Sequence, residues 1–150
     1  MRLVIQRVSE AKVAINQEII GQIQSGLLVL VGIEHNDTQE DIDWLVKKLI
    51  GLRIFNDQNH QMNLSIQERD GDFLVVSQFT LHASTKKGNR PSFINAAPPH
   101  IAIPLYEAFL KTLEMQFQKP IQTGKFGADM QVSLINDGPV TIFMDSKNKM

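Results

Sequence analysis

The chain contains no cysteine, which excludes a disulfide framework, a thiol nucleophile and a zinc–thiolate site. Long hydrophobic runs are missing as well. The longest, GLLVLVGI from Gly26 to Ile33, is far too short to span a bilayer. The opening MRLVIQRVSE carries Arg2 and Arg7 and lacks the apolar stretch and small-residue cleavage site of a secretory leader. A soluble cytoplasmic protein with no membrane partner is therefore expected. Neither sign of charge dominates. A formal net charge of −1 argues against a general nucleic-acid coat, because phosphate binding needs several positive charges acting together. A local basic patch touching one end of an RNA stays compatible. The histidines His35, His60, His82 and His100 show no HxxxH or HxH spacing, and no metal is expected. Walker A and GxGxxG fingerprints are absent too, so no nucleotide cofactor is expected.

What is present fits one ordered globular domain over residues 1–150, since 43% of the chain is hydrophobic and 21% charged. RLVIQRV and AKVAI alternate as strands, Asn16–Glu18 supplies a turn, and GLLVLVGI reads as a strand buried on both faces. A helix follows, capped by Asp37 or Thr38, with Glu40 and Asp41 in its first turn and the stripe Ile42, Leu45, Val46, Leu49, Ile50. LRIF suggests a short strand and NDQNHQMN a loop. DFLVVSQFTL, Asp72 to Leu81, is the strongest strand signal. A second helix begins near Pro99 or Pro104 with the stripe Leu105, Phe109, Leu113, Phe117. After TGKFGA the chain returns to strand. The order implies an α+β fold, with two main helices packed on a mixed or largely antiparallel sheet.

Three segments carry chemistry. Strand alternation in VVSQFTLH puts Ser77, Phe79 and Leu81 on one face, where Phe79 and Leu81 suit a core. Gln78, Thr80 and His82 fall on the other, at a strand end opening into a loop. Thr80 is the natural nucleophile, but its base is missing: in a strand, His82 lies roughly 6–7 Å further on and makes no hydrogen-bonded pair. The basic loop TKKGNR, Thr85 to Arg90, and Phe126 between Gly124 and Gly127 suit phosphate contact and base stacking respectively. They suit a solvated turn and a core anchor equally. Finally, LINDGPVTIF (Leu134–Phe143) reads as strand on both sides of Gly138-Pro139, where Pro cannot donate to a ladder. This is either a hairpin turn favoured by Asn136 and Asp137 or a rigid backbone device.

Ser77-Gln78-Phe79-Thr80 and Asn136-Asp137-Gly138-Pro139-Val140-Thr141 resemble the two signature segments of the D-aminoacyl-tRNA deacylases, Ser-Gln-x-Thr and Asn-x-Gly-Pro-x-Thr. The resemblance extends through QRV (Gln6–Val8), LRIFND (Leu52–Asp57), KGNRPSF (Lys87–Phe93) and TGKFGADM (Thr123–Met130). It implies a barrel-like sheet and a homodimeric, cofactor-free enzyme. Such an enzyme hydrolyses the ester joining a D-amino acid, or glycine mischarged on tRNA(Ala), to the 3′ end of tRNA. It further implies that Gly138-Pro139 is cis and crosses into the partner's site, where main-chain atoms reject L-residues, and that Arg7 positions this loop. Ser77, Gln78, Phe79 and Thr80 would form the catalytic segment, with Phe126 and Met130 at the substrate. Lys86, Lys87, Arg90 and Lys125 would meet the tRNA. Two alternatives stay open: a non-catalytic dimeric module that binds RNA or peptide, and a relative of relaxed chirality that edits L-alanine. His82 stands where the family pattern suggests a tyrosine or another apolar residue.

Overall fold

The computed structural model, which describes residues 1–150, is organised around its first strand. β1 (Arg2–Ile15) runs unbroken through both segments read above as separate strands. Along one edge its first half pairs antiparallel with β3 (Gly26–Gly32) and its second half with β2 (Glu18–Ile23). Along the other edge it pairs with β8 (Gln131–Asp145). Two parallel partners complete the sheet: β6 (Asp72–Ser77) lies beside β3, and β7 (Gln122–Thr123) beside β6. The order is β2-β1-β3-β6-β7, with β8 on β1. The sheet curls until β2 meets β7, where the Gln22 N–H reaches the Gln122 side-chain oxygen at 3.5 Å. Gly21 permits that approach, because a Cβ there would lie 2.8 Å from the Thr123 carbonyl. The result is a mixed, nearly closed barrel-like sheet carrying two helices, the α+β class expected.

β3 and β6 bury alternate residues on both faces, which is why they read as continuous apolar runs. Val29, Phe73 and Val75 join the larger core with Ile42, Leu45, Leu49, Phe109 and Leu113 from the helices. Leu28, Leu74 and Val76 join a smaller cluster with Val8, Val13 and Ile23. α1 (Gln39–Gly51) starts after Thr38, whose N–H donates to the Asp41 carboxylate at 2.8 Å. Asp37 is engaged elsewhere: its carboxylate accepts the Glu34 N–H and the buried α-ammonium of Met1. α2 (Pro99–Phe117) begins at the first of the two prolines considered and runs through Pro104. The LRIF expectation shifts along the chain. Only Phe55–Asn56 forms a strand, β4, and it pairs with β5 (Met62–Leu64), so the NDQNHQMN segment closes a small hairpin. Asp57 shapes the turn by accepting the N–H groups of Asn59 and Gln61. No helix is long and apolar enough to cross a membrane.

The strand reading of DFLVVSQFTL holds only to Ser77, after which Phe79–His82 form a 3₁₀ turn. Nor is Gly138-Pro139 a hairpin turn. β8 continues along β1 on both sides of it, Asn136 opposite Val8 and Thr141 opposite Gln6, and Asp137–Val140 bulge out across from Arg7. The Gly138–Pro139 peptide is cis. The Asn136 side chain closes the bulge by accepting the Val140 N–H at 2.8 Å and donating to Thr141 Oγ1 at 3.0 Å. Arg7, only 6% exposed, holds it from beneath. Its Nε donates to the Asp137 carbonyl at 2.8 Å and its Nη1 to the Ile54 carbonyl at 2.7 Å. Gly138 has φ +144°, and a Cβ there would lie 2.8 Å from a Val140 methyl and 3.1 Å from Arg7 Nη2, so no other residue fits without displacing the loop.

Two predictions follow from these contacts. Arg7→Met keeps the bulk but strands two carbonyls, and should cost about 2–4 kcal/mol, read as a lower urea midpoint; an unchanged midpoint would show that the bulge does not depend on Arg7. The second concerns Asp41. Burial alone would raise its carboxyl, but hydrogen bonds from Lys147, Ser146 and Thr38 outweigh burial and hold it well below the ordinary 3.8. A depressed folded value gives stability that is complete above the ordinary carboxylate range and is lost as pH falls toward the folded value. Lys147→Ala removes the 2.8 Å bond to Asp41. It should lower stability at neutral pH by about 1 kcal/mol or less, because Lys147 is well solvated, and should flatten the stability loss below about pH 4. Parallel profiles for variant and parent would contradict it.

Candidate active site

The parallel pair β3–β6 ends at one side of the barrel, and the chain after Ser77 cannot continue as strand. The Gln78 N–H still reaches the Val31 carbonyl at 2.7 Å, the last bond of the ladder. The 3₁₀ turn then begins, with Leu81 N–H donating to Gln78 O and Ala83 N–H to Thr80 O. As its first residues, Phe79 and Thr80 have no carbonyl three residues back inside the turn, so their N–H groups are available to a ligand. A cleft of about 320 Å³ lies beside this segment. Ser77, Gln78 and Phe79 form one wall, Val31, Ile33 and Ala102 the floor, and Phe126, Met130 and Val132 the far side.

The turn rearranges the side chains expected on alternating faces. Phe79 is not core: it is 55% exposed and meets Phe93 edge-on with ring centroids 5.0 Å apart. Leu81 is half-buried. Thr80 is exposed, and its Oγ1 accepts a hydrogen bond from Gln78 Nε2 at 2.5 Å. His82 points the other way: it is only 2% exposed and its Nε2 meets no partner. Two residues further along a 3₁₀ turn is about 240° around its axis, so Thr80 and His82 separate and no base stands beside the hydroxyl. His82 is thus a buried polar residue and no partner of Thr80.

Phe126 is anchored against the core and borders the cleft as well. It packs on Tyr106 with centroids 5.7 Å apart and also lines the cleft. Tyr106 in turn donates to the Val75 carbonyl at 3.3 Å, and burial pushes its phenol up to about 12, so it stays neutral. Met130 is seated against the Gly124–Lys125 backbone, its sulfur 3.4 Å from the Lys125 nitrogen. Lys86, Lys87, Arg90 and Lys125 are all exposed but do not line the cleft. The Ser84–Ser92 bridge ties the basic loop at its base, next to Phe93.

Arg7, Gly138 and Pro139 do not join the cleft within this chain. From Val132 at its wall to Gly138 the strand advances six residues, on the order of 15–20 Å. The sequence reading missed the floor residues Ile33 and Ala102, which carry no chemical signal. Asn136, read as favouring a hairpin turn, instead closes a bulge within a continuous strand. No group of three or more metal-ligating side chains converges anywhere.

Residues 4–145 match the family model described as D-Tyr-tRNA(Tyr) deacylase. The D-aminoacyl-tRNA deacylase of Flavobacterium johnsoniae is 66% identical over 149 residues, covering 99% of each chain. That of Bacteroides fragilis is 62% identical with the same coverage. Among solved structures, the c-Myc DNA unwinding element binding protein superposes with a TM-score of 0.92 at 41% identity, covering 97% of this chain and 98% of that one. A probable eukaryotic D-amino acid tRNA deacylase superposes at 0.84 with 17% identity, over 95% and 97% of the two chains, and shares the fold. Matched across nearly its whole length, this chain belongs to the D-aminoacyl-tRNA deacylase family of hydrolases.

Proposed function

We propose that the protein hydrolyses the ester of D-aminoacyl-tRNA in the cytoplasm, acting as a homodimer in which each Gly138–Pro139 bulge completes the cleft of the other copy. The observation that carries this reading is the separation just described. Arg7 and Asn136 hold a rigid, side-chain-poor loop outward, while the cleft that needs a selective wall lies at the far end of the same strand. One chain does not bring them together; two copies with exchanged loops do. The unpaired edge of β8, with Ile135 and Phe143 each more than half exposed, supplies apolar surface for that association.

In this arrangement the aminoacylated adenosine lies in the cleft against Phe126 and Met130. The partner's loop presents backbone on the face where an L-side chain would project. A D-residue, or glycine mischarged on tRNA(Ala), has only hydrogen there and fits. Selection is by exclusion, and backbone suits it because backbone fixed by Arg7 cannot swing aside. The ester is already activated, so positioning and stabilisation of the oxyanion by the Phe79 and Thr80 N–H groups supply most of what is needed. Gln78 orients Thr80 within the site. With no base at its hydroxyl, Thr80 serves through its N–H and its bond to Gln78, at the edge of the cleft; the adenosine 2′-OH is the group that assists. Lys86, Lys87, Arg90 and Lys125 meet the tRNA end, few enough charges that salt dependence is shallow.

Two experiments test this. Purified protein incubated with D-Tyr-tRNA and L-Tyr-tRNA, with chelator and no nucleotide, should release only the D-amino acid. Equal loss of both esters would favour the relaxed-chirality reading, and loss of neither would favour a binding module. Within the site, Thr80→Ala should retain substantial activity and His82→Ala should change kcat by less than about tenfold. A drop of about 10⁴-fold or more in Thr80→Ala, with folding intact, would make the hydroxyl an essential nucleophile.

A further inference from the structure

A second cavity, of about 290 Å³, opens on the flank of the Gly138 bulge, and its walls include Arg7, Asn56, Asp57, His60, Arg69 and Asp137. Its charges are unequally committed. Arg7 is spent on the Asp137 and Ile54 carbonyls and on Asn56 Oδ1 at 3.4 Å. The Asp57 carboxylate serves its own turn, and the N–H groups of Gln61 and Asn59 hold it below the ordinary carboxylate range. The Asp137 carboxylate stands 3.6 Å from Arg7 Nε. Arg69 and His60 make no side-chain hydrogen bond or ion pair, although both are walls of the cavity, and of the two Arg69 carries the permanent charge. Its backbone is well fixed: its N–H donates to the Ser65 carbonyl at 3.0 Å, within a turn anchored by the fully buried Ile66. An uncommitted guanidinium on a fixed turn, facing a cavity large enough for an anion, is suited to holding one.

We infer that this cavity seats a phosphodiester of the tRNA acceptor end, held by Arg69 with His60, and that it serves the active site of the partner copy. The inference rests on the exchange of loops proposed above. If the bulge enters the partner's cleft, then the cavity on the flank of that bulge borders the mouth of the same cleft. The polynucleotide leaving the bound adenosine passes that mouth. Its backbone offers one negative charge per nucleotide, and a planar guanidinium matches two phosphate oxygens at once. The basic loop Lys86–Arg90, carried by the chain that owns the cleft, follows directly from its catalytic segment. A tRNA end so bound is gripped by both copies.

The test compares two substrates of the purified protein: D-Tyr-tRNA, and 3′-O-(D-tyrosyl)adenosine, which has no phosphodiester. Arg69→Ala should lose about five- to tenfold in kcat/KM on the tRNA, carried by KM, with no loss on the nucleoside ester. The slope of log kcat/KM against log salt should fall by about one. Arg69→Lys keeps the charge and should keep the slope. Equal effects on both substrates, no effect on the tRNA, or an unchanged slope would each overturn the inference. If the unmodified protein cleaves neither ester, the deacylase reading fails and takes this one with it. If Arg69→Ala matches the parent on both, only the phosphate site is lost.

Discussion

One buried guanidinium sets the shape of the functional end of this molecule. Arg7 sits at the middle of the strand on which the sheet is built, nearly out of contact with water, and a charge in that position is tolerable only when its donors are met. They are met by main-chain oxygens, one from the bulge of β8 and one from the segment leading into β4. The arginine thus ties together three stretches remote in sequence, and each stretch bounds a cavity. Because its shortest bonds run to carbonyls, the interaction constrains where the backbone goes, and the Asn136 side chain closes the bulge from its own side. A loop held in this way is suited to judging shape.

The other end of the molecule follows a different logic. There the parallel ladder runs out, the last N–H of the ladder is spent, and the 3₁₀ turn begins with donors unspent. Apolar residues from the helix side and from β8 shape the cleft, while polar side chains are few and partner one another, as Gln78 does Thr80. The chemistry available is that of positioning and of backbone dipoles. An ester in no great need of activation matches it. The interior imidazole of His82 lies outside that chemistry, and the structure gives its unmade hydrogen bond no evident purpose.

Much of this was legible in the residues. The two-sided burial of GLLVLVGI, the capped helix after Asp37 and the stripe Leu105–Phe117 each follow from periodicity alone, and all are present. The failures have physical causes. Alternation carried the reading of β6 four residues too far, because Gln78-Phe79-Thr80-Leu81 alternates as well as any strand; what ends the strand is the exhaustion of its neighbour β3 at Gly32, a fact about another segment. The Gly-Pro bulge looked like a hairpin because local sequence reports a break in the ladder but not whether the chain reverses. Reversal depends on which strand pairs on either side, and β1 pairs on both. The cavity beside Arg69 was invisible, since its walls come from β1, the β4–β5 hairpin, the following turn and β8.

The pairing of β1 with β8 has a consequence for how the chain comes into being. Residues 2–15 and 131–145 are neighbours in the finished sheet but are separated by nearly the whole chain. As the chain leaves the ribosome, one edge of β1 must wait until β8 emerges, and Arg7 waits with it for the Asp137 carbonyl. Sequence-distant pairing of this sort slows folding and leaves a strand edge open to other partners. The loop that would inspect another molecule is therefore fixed only after the strand that carries it has been made.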